Sequence, residues 1–431
     1  INNLKTGNIL IVAGKGHEKT QQIGNRKIFL SDRQIILSSI KKKNLILSKD
    51  LKLNIFNERF GHNVLSSNSV INKASINSEI VEKNDIFFAI KGKINDGNKF
   101  VKQVIKKKVS IAVVHKIQNK LSKNKQVSSL NPLGVLTETA KIFRQNISTK
   151  IIAITGSCGK TSLKELLGSS LNKISKTTIS PQSYNNKYGV PLSLFNINQN
   201  DDYGVLEVGM DKKGEIHQLS NIIHPDVSVI TNINYAHAKN FKNIRQIALA
   251  KSEIINNTKD NGYVVINADD SFFGLHKKIS QKKKIQVLSF GIYNRYANIK
   301  LENITKLKKK YKIKVKVNNF TKNFIISNDF QNNIYNILAA LAVKSIFFDV
   351  SKLNKSTFLN FKTPEGRGDI TKIKVNKKII NLIDESYNSN PLSLKTAILN
   401  YDTIKTKHSN KYLILGDMLE LGNHSKKLHE S

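Results

Sequence analysis

A short glycine-containing segment, TGSCGKT at residues 155–161, is the feature that most restricts how this chain folds. It follows the run IIAIT at 151–155, whose apolar and β-branched residues are typical of a buried parallel strand. Behind it lies a helical pattern with an apolar face made of Leu163, Leu166, Leu167 and Leu171. A glycine-rich loop between a parallel strand and a helix binds phosphate, because free N–H groups and a positive dipole end meet there. The segment therefore predicts a nucleotide-binding α/β domain.

The phosphate loop also predicts roles for single residues. Those expected to contact ATP are Gly156, Ser157, Cys158, Gly159, Lys160 and Thr161. Lys160 is expected to neutralise β- and γ-phosphate charge, and the Thr161 hydroxyl is expected to ligate Mg²⁺. The loop has the short GxxGKT form, because Ile154 rather than glycine stands five residues before Gly159. Cys158 is interpreted as a small loop residue rather than a nucleophile.

Further strand-like runs follow the phosphate loop, at residues 204–208, 227–231, 263–267 and 286–290. Helical patterns lie between several of them, and this alternation predicts a mainly parallel, doubly wound sheet. A buried helix is expected where one face carries Ile334, Ile337, Leu338 and Leu341. Later strands are expected near 379–383 and 411–415.

The chain has 431 residues, enough for two to four domains at roughly 100–200 residues each. Polar residues at 116–131 indicate a linker, and TPEGRG at 363–368 indicates a hinge. We expect a tail, a small α/β domain, a central nucleotide-binding domain and a third α/β domain. Their expected boundaries are 1–40, 45–117, 132–362 and 363–431.

The formal net charge of +39 raises nucleic acid as a possible partner. However, only seven of the 70 basic residues are arginines, and the short lysine runs are scattered without interleaved aromatic residues. We interpret them as a solvated surface that attracts anionic substrates, and we expect no nucleic acid. The single cysteine excludes a disulfide framework and fits the reducing cytoplasm. No apolar stretch reaches the roughly 18 residues that a membrane span needs.

Nine motifs occur in order along the chain: TGSCGKTS, NNKYGVP (185–191), EVGM (207–210), TNINYAH (231–237), AKSEII (250–255), NADD (267–270), GRG (366–368), DESYNSNPLS (384–393) and LGDMLELG (415–422). Together they resemble the Mur ligases of peptidoglycan synthesis. The last two motifs favour the MurF type over folylpolyglutamate synthases and other Mur enzymes. The resemblance covers roughly residues 45–431.

This resemblance implies an ATP-dependent amide ligase that joins D-alanyl-D-alanine to UDP-N-acetylmuramoyl-tripeptide through an acyl phosphate. It implies three domains: a small one for the UDP-substrate, a central P-loop domain, and a Rossmann-like C-terminal domain. The cofactors expected are ATP and Mg²⁺, and the chain is expected to act as a monomer.

The resemblance also implies a set of metal ligands. Glu207 ends a predicted strand, and a carboxylate at the carboxyl edge of a parallel sheet is well placed for metal. Together with Thr161 it is expected to hold the ATP-bound Mg²⁺. A second Mg²⁺ is expected at His237 and Lys251. Relatives carry a carbamylated lysine at the place of Lys251, formed from a neutral amine and CO₂.

Other residues are expected to contact the substrates. Arg367, at the hinge, is expected to clamp ATP phosphate when domains close, and it joins Lys160, His237 and Lys251 as the expected catalytic residues. The nucleotide base or ribose is expected beside Asn267, Asp270, Asp384 and Glu385. The peptide substrates are expected beside Asn185, Asn186, Tyr387 and Asn388.

The sequence departs from the family pattern at two places. Relatives often carry Asp-Ser-Arg near the UDP contact, where this chain has Asn77, Ser78 and Glu79. The family's Gly-x-His-Asn before the buried helix stands here as Phe330, Gln331, Asn332 and Asn333.

Residues 1–40 resemble a different relative. AGKGHE at 13–18 and FLSDRQ at 29–34 are similar to the C-terminal end of a MurE-type ligase. We therefore expect a fused MurE–MurF polypeptide of which this chain is a piece. Its third domain is expected to be incomplete and the piece to be inactive alone.

Three alternatives stay open at this point. The chain could be another ATP-dependent amide ligase such as folylpolyglutamate synthase. It could be a basic P-loop ATPase that acts on nucleic acid, or a non-catalytic remnant.

Overall fold

The computed structural model describes Ile11 and residues 20–23, 26–29, 35–37, 40, 51–61, 64–66, 69–92, 94–308, 310–327, 333–375, 378–404 and 410–430. The motif AGKGHE, most of FLSDRQ and residues 330–332 lie outside these ranges. Contacts divide the chain into two compact units, Ile1–Ile147 and Ser148–Ser431. No helix of the described residues is long and apolar enough to cross a membrane.

The first unit contains an antiparallel hairpin and a four-stranded parallel sheet. The hairpin strands are β1 (Thr20–Ile23) and β2 (Arg26–Phe29). The sheet strands are β3 (Ala74–Ser75), β4 (Ile86–Phe88), β5 (Ile111–Val114) and β6 (Gln126–Ser128), paired in that order. The helices are α1 (51–60), α2 (Val101–Lys106) and α3 (Pro132–Asn146). This sheet agrees with the small α/β domain that the sequence predicts, with β4 and β5 in the apolar runs at 85–92 and 110–115. However, β6 lies within residues 116–131, which the sequence had indicated as a linker, because it pairs with β5.

The expected UDP contact in this unit has an ordered backbone. The Lys107 ammonium donates hydrogen bonds to the carbonyl oxygens of Ser78 (3.0 Å) and Glu79 (2.5 Å). The Asn77 side chain accepts one from the Glu79 N–H at 2.8 Å. The turn is thus stabilised by its own polar groups, and its role towards a substrate stays a prediction.

The second unit contains a nine-stranded sheet in the order β15-β14-β13-β12-β11-β10-β7-β9-β8. Its strands are β7 (Lys150–Thr155), β8 (Thr177–Ile179), β9 (Tyr203–Glu207), β10 (Val227–Ile230), β11 (Tyr263–Asn267), β12 (Gln286–Gly291), β13 (Ile299–Lys306), β14 (Lys310–Val317) and β15 (Phe320–Ser327). The seven neighbouring strands β8, β9, β7, β10, β11, β12 and β13 pair in parallel. Strand β14 pairs antiparallel with β13, and β15 pairs antiparallel with β14. A separate hairpin joins β16 (Asp369–Val375) and β17 (Lys378–Asp384).

The helices of this unit connect and cover the strands. They are α4 (Lys160–Asn172), α5 (Gly189–Phe195), α6 (Glu215–Ile223), α7 (Ile244–Asn256), α8 (Phe273–Lys282), α9 (Ile334–Phe347), α10 (Pro391–Thr403) and α11 (Ser425–His429). The predicted leucine face of α4 and the apolar face of α9 are both buried in one core cluster with β7 and β10. The mainly parallel α/β architecture is therefore confirmed.

One predicted strand is wrong. Residues 411–415 form no strand, and Tyr412, Ile414 and Leu415 are exposed. An extended segment becomes a strand only when a neighbour pairs with its N–H and C=O groups, and no described strand does so here. The two compact units also divide the chain after α3, whereas we expected the central domain to begin near 132. The expected domain boundaries stay predictions.

Candidate active site

The phosphate loop connects β7 to α4, as the sequence predicts. Gly156 (φ 147°) and Gly159 (φ 81°) have backbone conformations that favour glycine. A Cβ on Gly156 would lie 1.8 Å from the Thr231 hydroxyl, so a side chain has no room there. That hydroxyl in turn donates to the Cys158 carbonyl at 2.6 Å. The loop shape is therefore imposed by the segment that follows β10.

Two N–H groups of the loop are already used inside the protein. The Ser157 N–H donates to the Asn232 carbonyl, and the Cys158 N–H donates to the Asn232 side chain, both at 2.9 Å. The first N–H groups of α4 have no partner within their helix. The anion-binding donors of this loop are thus those of the α4 N-terminus, beginning at Lys160. Burial raises the pKa of the Cys158 thiol, which disfavours a thiolate nucleophile.

Lys160 and Lys251 converge on one carbonyl. Each Nζ donates to the Gly156 oxygen at 3.0 Å, although Lys251 comes from α7 and Lys160 begins α4. Lys251 is fully enclosed, with 1% of its surface exposed. Burial, together with the Lys160 ammonium, holds the pKa of Lys251 well below its usual range. The sequence placed both lysines in the site, and the structure brings them together.

Glu207 connects the phosphate loop to the segment NNKYGVP. It lies at the end of β9 and is buried. Its Oε2 accepts a hydrogen bond from the Thr161 hydroxyl at 2.7 Å, and its Oε1 accepts one from the Asn185 amide at 2.8 Å. Asn186 serves a different contact, because its side chain accepts from the N–H groups of Tyr188 and Gly189. Of the two predicted asparagines, Asn185 is the one that contacts Glu207.

His237 lies in a cluster with two carboxylates. Its Nδ1 is 2.5 Å from Glu420 Oε2 and 3.1 Å from Asp211 Oδ1, without a hydrogen bond of suitable angle. The three side chains offer ligand atoms within 4.8 Å of one another, which would suit a metal ion. Burial lowers the pKa of His237, and the Glu420 carboxylate opposes this effect. The sequence missed Asp211 and Glu420, although they adjoin or lie within the motifs EVGM and LGDMLELG.

Asp270 supports the loops around the site. Its carboxylate accepts hydrogen bonds from the N–H groups of Ile233 (2.7 Å) and Phe272 (2.8 Å). The Asn267 side chain accepts one from the Asp269 N–H at 3.0 Å. A cavity of about 460 Å³ opens beside them, and its lining includes Ala268, Phe273, Ser289, Asn294, Tyr296 and Asn298. The predicted base contacts at Asn267 and Asp270 stay predictions.

Two of the predicted residues of the last segment contact each other. The Arg367 guanidinium lies over the Tyr387 ring, 4.2 Å from its centre. Asp384 accepts a hydrogen bond from the Ser386 N–H at 2.8 Å. Hydrogen bonds from the Ser386 side chain and N–H lower the pKa of Asp384. Glu385 and Asn388 are exposed. The direct contact with the phosphate loop comes from a residue we did not predict: Asn390 Oδ1 lies 3.1 Å from the Cys158 sulfur.

The chain is similar to known proteins of one family. A family model described as the Mur ligase middle domain matches residues 154–344. A UDP-N-acetylmuramoyl-tripeptide–D-alanyl-D-alanine ligase of Buchnera aphidicola is 34% identical over 369 residues, which are 84% of this chain and 77% of that protein. The same ligase of Rickettsia prowazekii is 32% identical over 84% of this chain and 80% of that protein.

Solved structures show the same likeness. The crystal structure of MurF from Acinetobacter baumannii has a TM-score of 0.72 and 27% identity, and covers 83% of this chain and 76% of that chain. The MurF ligase from Thermotoga maritima, in complex with ADP, has a TM-score of 0.71 and 26% identity, and covers 83% and 80%.

The mainly parallel sheet with its phosphate loop, taken together with these matches, defines a P-loop ligase of the Mur class. The chain belongs to the Mur ligase family. Within that family it belongs to the MurF type, the UDP-N-acetylmuramoyl-tripeptide–D-alanyl-D-alanine ligases.

Proposed function

We propose that this chain is the ATP-dependent ligase that joins D-alanyl-D-alanine to UDP-N-acetylmuramoyl-tripeptide during synthesis of the peptidoglycan precursor. The relatives named above carry this activity in their names. The observation that carries the proposal is the position of Glu207 between Thr161 and Asn185. Glu207 thereby connects the phosphate loop to the segment NNKYGVP, where we expect the peptide substrate. ATP and the peptide substrate thereby meet at one edge of the sheet.

The reaction has two steps. A carboxylate oxygen of the tripeptide attacks the γ-phosphorus of ATP, and the bond to the ADP oxygen breaks. The amine nitrogen of D-alanyl-D-alanine then attacks the acyl carbon, the bond to the phosphate oxygen breaks, and the nitrogen loses a proton. Charge builds up on phosphate and carboxylate oxygens, so positioned cations and N–H groups provide most of the stabilisation. Lys160 and the α4 N-terminus supply both.

The residues at the phosphate loop fit Mg²⁺. The Thr161 hydroxyl oxygen and Glu207 Oε2 are 2.7 Å apart, and both are hard oxygen ligands of the kind that Mg²⁺ prefers. We propose that these two residues hold the ATP-bound ion. When bound, Mg²⁺ would neutralise phosphate charge and orient the γ-phosphate. Asn185 keeps the carboxylate in place by occupying its other oxygen.

A second ion is proposed near His237 and Lys251. His237 suits a metal ligand because its Nδ1 atom is buried and lies close to two carboxylates without a hydrogen bond of suitable geometry. Lys251 is enclosed beside Lys160, an arrangement that favours its neutral amine and hence its reaction with CO₂. Such a carbamate would be an anionic oxygen ligand. Loss of the positive charge would also relieve the repulsion between the two lysines.

The remaining roles follow the family pattern. We propose that Arg367 binds ATP phosphate, that Asn267, Asp270, Asp384 and Glu385 lie towards the nucleoside, and that Asn185, Asn186, Tyr387 and Asn388 lie towards the peptides. We also propose a cytoplasmic monomer. The motifs at residues 13–34 support a polypeptide that also carries a MurE-type ligase.

A comparison of substrates tests the function. Phosphate release by the natural protein is measured with UDP-N-acetylmuramoyl-tripeptide plus D-alanyl-D-alanine, with folate plus glutamate, and with DNA or RNA. We expect release, and a ligated product by mass spectrometry, only with the first pair. Stimulation by folate and glutamate, or by nucleic acid alone, would contradict the proposal.

A further inference from the structure

Lys164 is a buried cation that has no part in the proposed chemistry. It lies on α4, three residues after Thr161, and none of its surface is exposed. Its Nζ donates to the Ser180 carbonyl at 2.6 Å and to the Gln182 carbonyl, and lies 3.0 Å from Glu165 Oε1. An ammonium has three N–H donors, so these three acceptors satisfy all of them. Burying an ammonium is costly, so an apolar residue would be favoured here if packing were the only requirement.

The two carbonyls belong to a segment that leads to Glu207. Ser180 Oγ accepts a hydrogen bond from the Glu207 N–H at 3.2 Å, and the Ser180 N–H donates to Val205 at 3.0 Å. Five residues later, Asn185 donates to Glu207 Oε1, and its carbonyl accepts from the Gly209 N–H at 2.8 Å. Residues 180–185 therefore hold the glutamate from two sides.

The backbone of this segment is strained at the point that Lys164 contacts. Gln182 has φ 43°, a left-handed conformation that is unfavourable for residues other than glycine. Such a conformation persists only when its surroundings hold it in place. The ammonium on the Gln182 carbonyl is a direct restraint of that kind.

We propose that Lys164 is a positioning residue that fixes residues 180–185 against Glu207. Residues three apart share one face of a helix, so α4 controls both carboxylate oxygens. Thr161 contacts Glu207 Oε2 directly. Lys164 instead binds the segment 180–185, whose Asn185 contacts Glu207 Oε1. This inference rests on the proposed function for the identity of the substrate and the ion. Its structural part does not depend on that function.

Lys344 provides a matched control. It too is fully buried in this unit, but it lies on α9 and donates to the Ser170 carbonyl at 2.9 Å. The variants Lys164→Met and Lys344→Met each remove one buried ammonium. Hydrogen exchange of the 431-residue chain is measured by mass spectrometry, without any substrate. We expect residues 180–185 to exchange about tenfold faster in Lys164→Met and at the wild-type rate in Lys344→Met.

A kinetic experiment tests the consequence. In the natural protein, Lys164→Met should raise KM for the UDP-tripeptide and the Mg²⁺ concentration for half-maximal rate about tenfold. KM for ATP should rise with the Mg²⁺ requirement, because the proposed ion is bound to ATP. Lys344→Met should leave all three constants at their wild-type values. Lys164→Arg, which keeps a cation, should recover part of the loss. If Lys164→Met does not fold, Lys164→Gln replaces it in both experiments.

The outcomes separate the two proposals. Wild-type exchange at residues 180–185 in a folded Lys164 variant, or equal effects of the two methionine variants, would overturn the positioning role. Absence of ligation by the wild-type natural protein would instead contradict the proposed function, while the exchange measurement would still decide the role of Lys164.

Discussion

The predicted site residues occupy two regions of the second unit that differ in how they are held. At the sheet edge, Thr161, Glu207 and Lys251 are buried, and each contacts a residue from another element. In the segment from 364 to 424, Tyr387 is 54% exposed and contacts Arg367, a neighbour in the same hairpin region. The sheet edge is thus held in place by contacts within the protein itself, which favours electrostatic catalysis. In the later segment Glu385, Tyr387 and Asn388 are exposed, whereas Asn390 is buried against Cys158.

This contrast predicts that substitutions at the sheet edge have the largest effects. Lys160→Ala should lower the ligation rate of the natural protein by about 10³-fold or more, because γ-phosphate charge goes unneutralised. Product formation is measured under saturating substrates. The exposed Lys282, at the end of α8, supplies the control variant Lys282→Ala. Near-wild-type turnover of Lys160→Ala would remove Lys160 from the site.

Lys251→Ala tests the proposed carbamate at the same edge. We expect a loss of about 10²-fold, as for other changes that disturb a metal site. Short carboxylic acids such as acetate should restore part of the activity, because they supply the missing anionic oxygen. Lys344→Ala also empties a buried lysine site and should show no such rescue. A wild-type protein with an unmodified Lys251 far from any metal would contradict the carbamate.

Much of the sheet edge could be predicted because its signals are local. The run at 151–155, the phosphate loop and the leucine face are contiguous, and strand, loop and helix formed as expected. The antiparallel extension was missed, although β14 reads KYKIKVKV and its apolar residues Ile313, Val315 and Val317 are buried. From the sequence, lysine runs are interpreted as a solvated surface, and the lysines of β14 that alternate with these apolar residues are indeed exposed. Apolar residues alternate with lysines along this segment, a pattern that is typical of a strand with one buried face and that was visible in the sequence.

Contacts between distant segments could not be predicted from the sequence. Asp211 lies 26 residues before His237 (237 − 211), but Glu420 meets His237 only because the chain folds back over 183 residues (420 − 237). Asn390 reaches Cys158 in the same way. Both Glu420 and Asn390 lie within motifs that the sequence singled out, but which atoms of these motifs are in contact required the structure.

In the second region, Arg367→Lys should have an intermediate effect. Lysine keeps the charge but loses the planar, bidentate guanidinium and its stacking on Tyr387, so we expect a loss of about tenfold in kcat/KM for ATP. Tyr387→Phe keeps a ring for stacking and is the matched variant with little expected change. A loss as large as that of Lys160→Ala would show that this region is as strictly organised as the sheet edge.

The smallest effect is expected where the second region docks on the first. Gly422 has φ 55°, and a Cβ there would lie 2.6 Å from the Lys239 Cα. The same contact includes the hydrogen bond from the Lys239 N–H to the Glu420 carbonyl at 2.9 Å. Gly422→Ala should therefore separate residues 420–422 from 238–240 and weaken the approach of Glu420 to His237.

We expect Gly422→Ala to reduce ligation about threefold to tenfold, because left-handed alanine costs roughly 1–2 kcal/mol and the displaced carboxylate is only one neighbour of His237. The matched control is Gly416→Ala in the same motif, where a Cβ would meet nothing within 4 Å. The Mg²⁺ dependence of both variants is measured, together with hydrogen exchange at residues 238–240. Faster exchange in Gly422→Ala alone would confirm the docking. Equal ligation rates and exchange rates of the two variants would mean that residues 420–422 do not need their contact with residues 238–240. The segment from 364 to 424 would then be held less firmly, relative to the sheet edge, than the structure indicates.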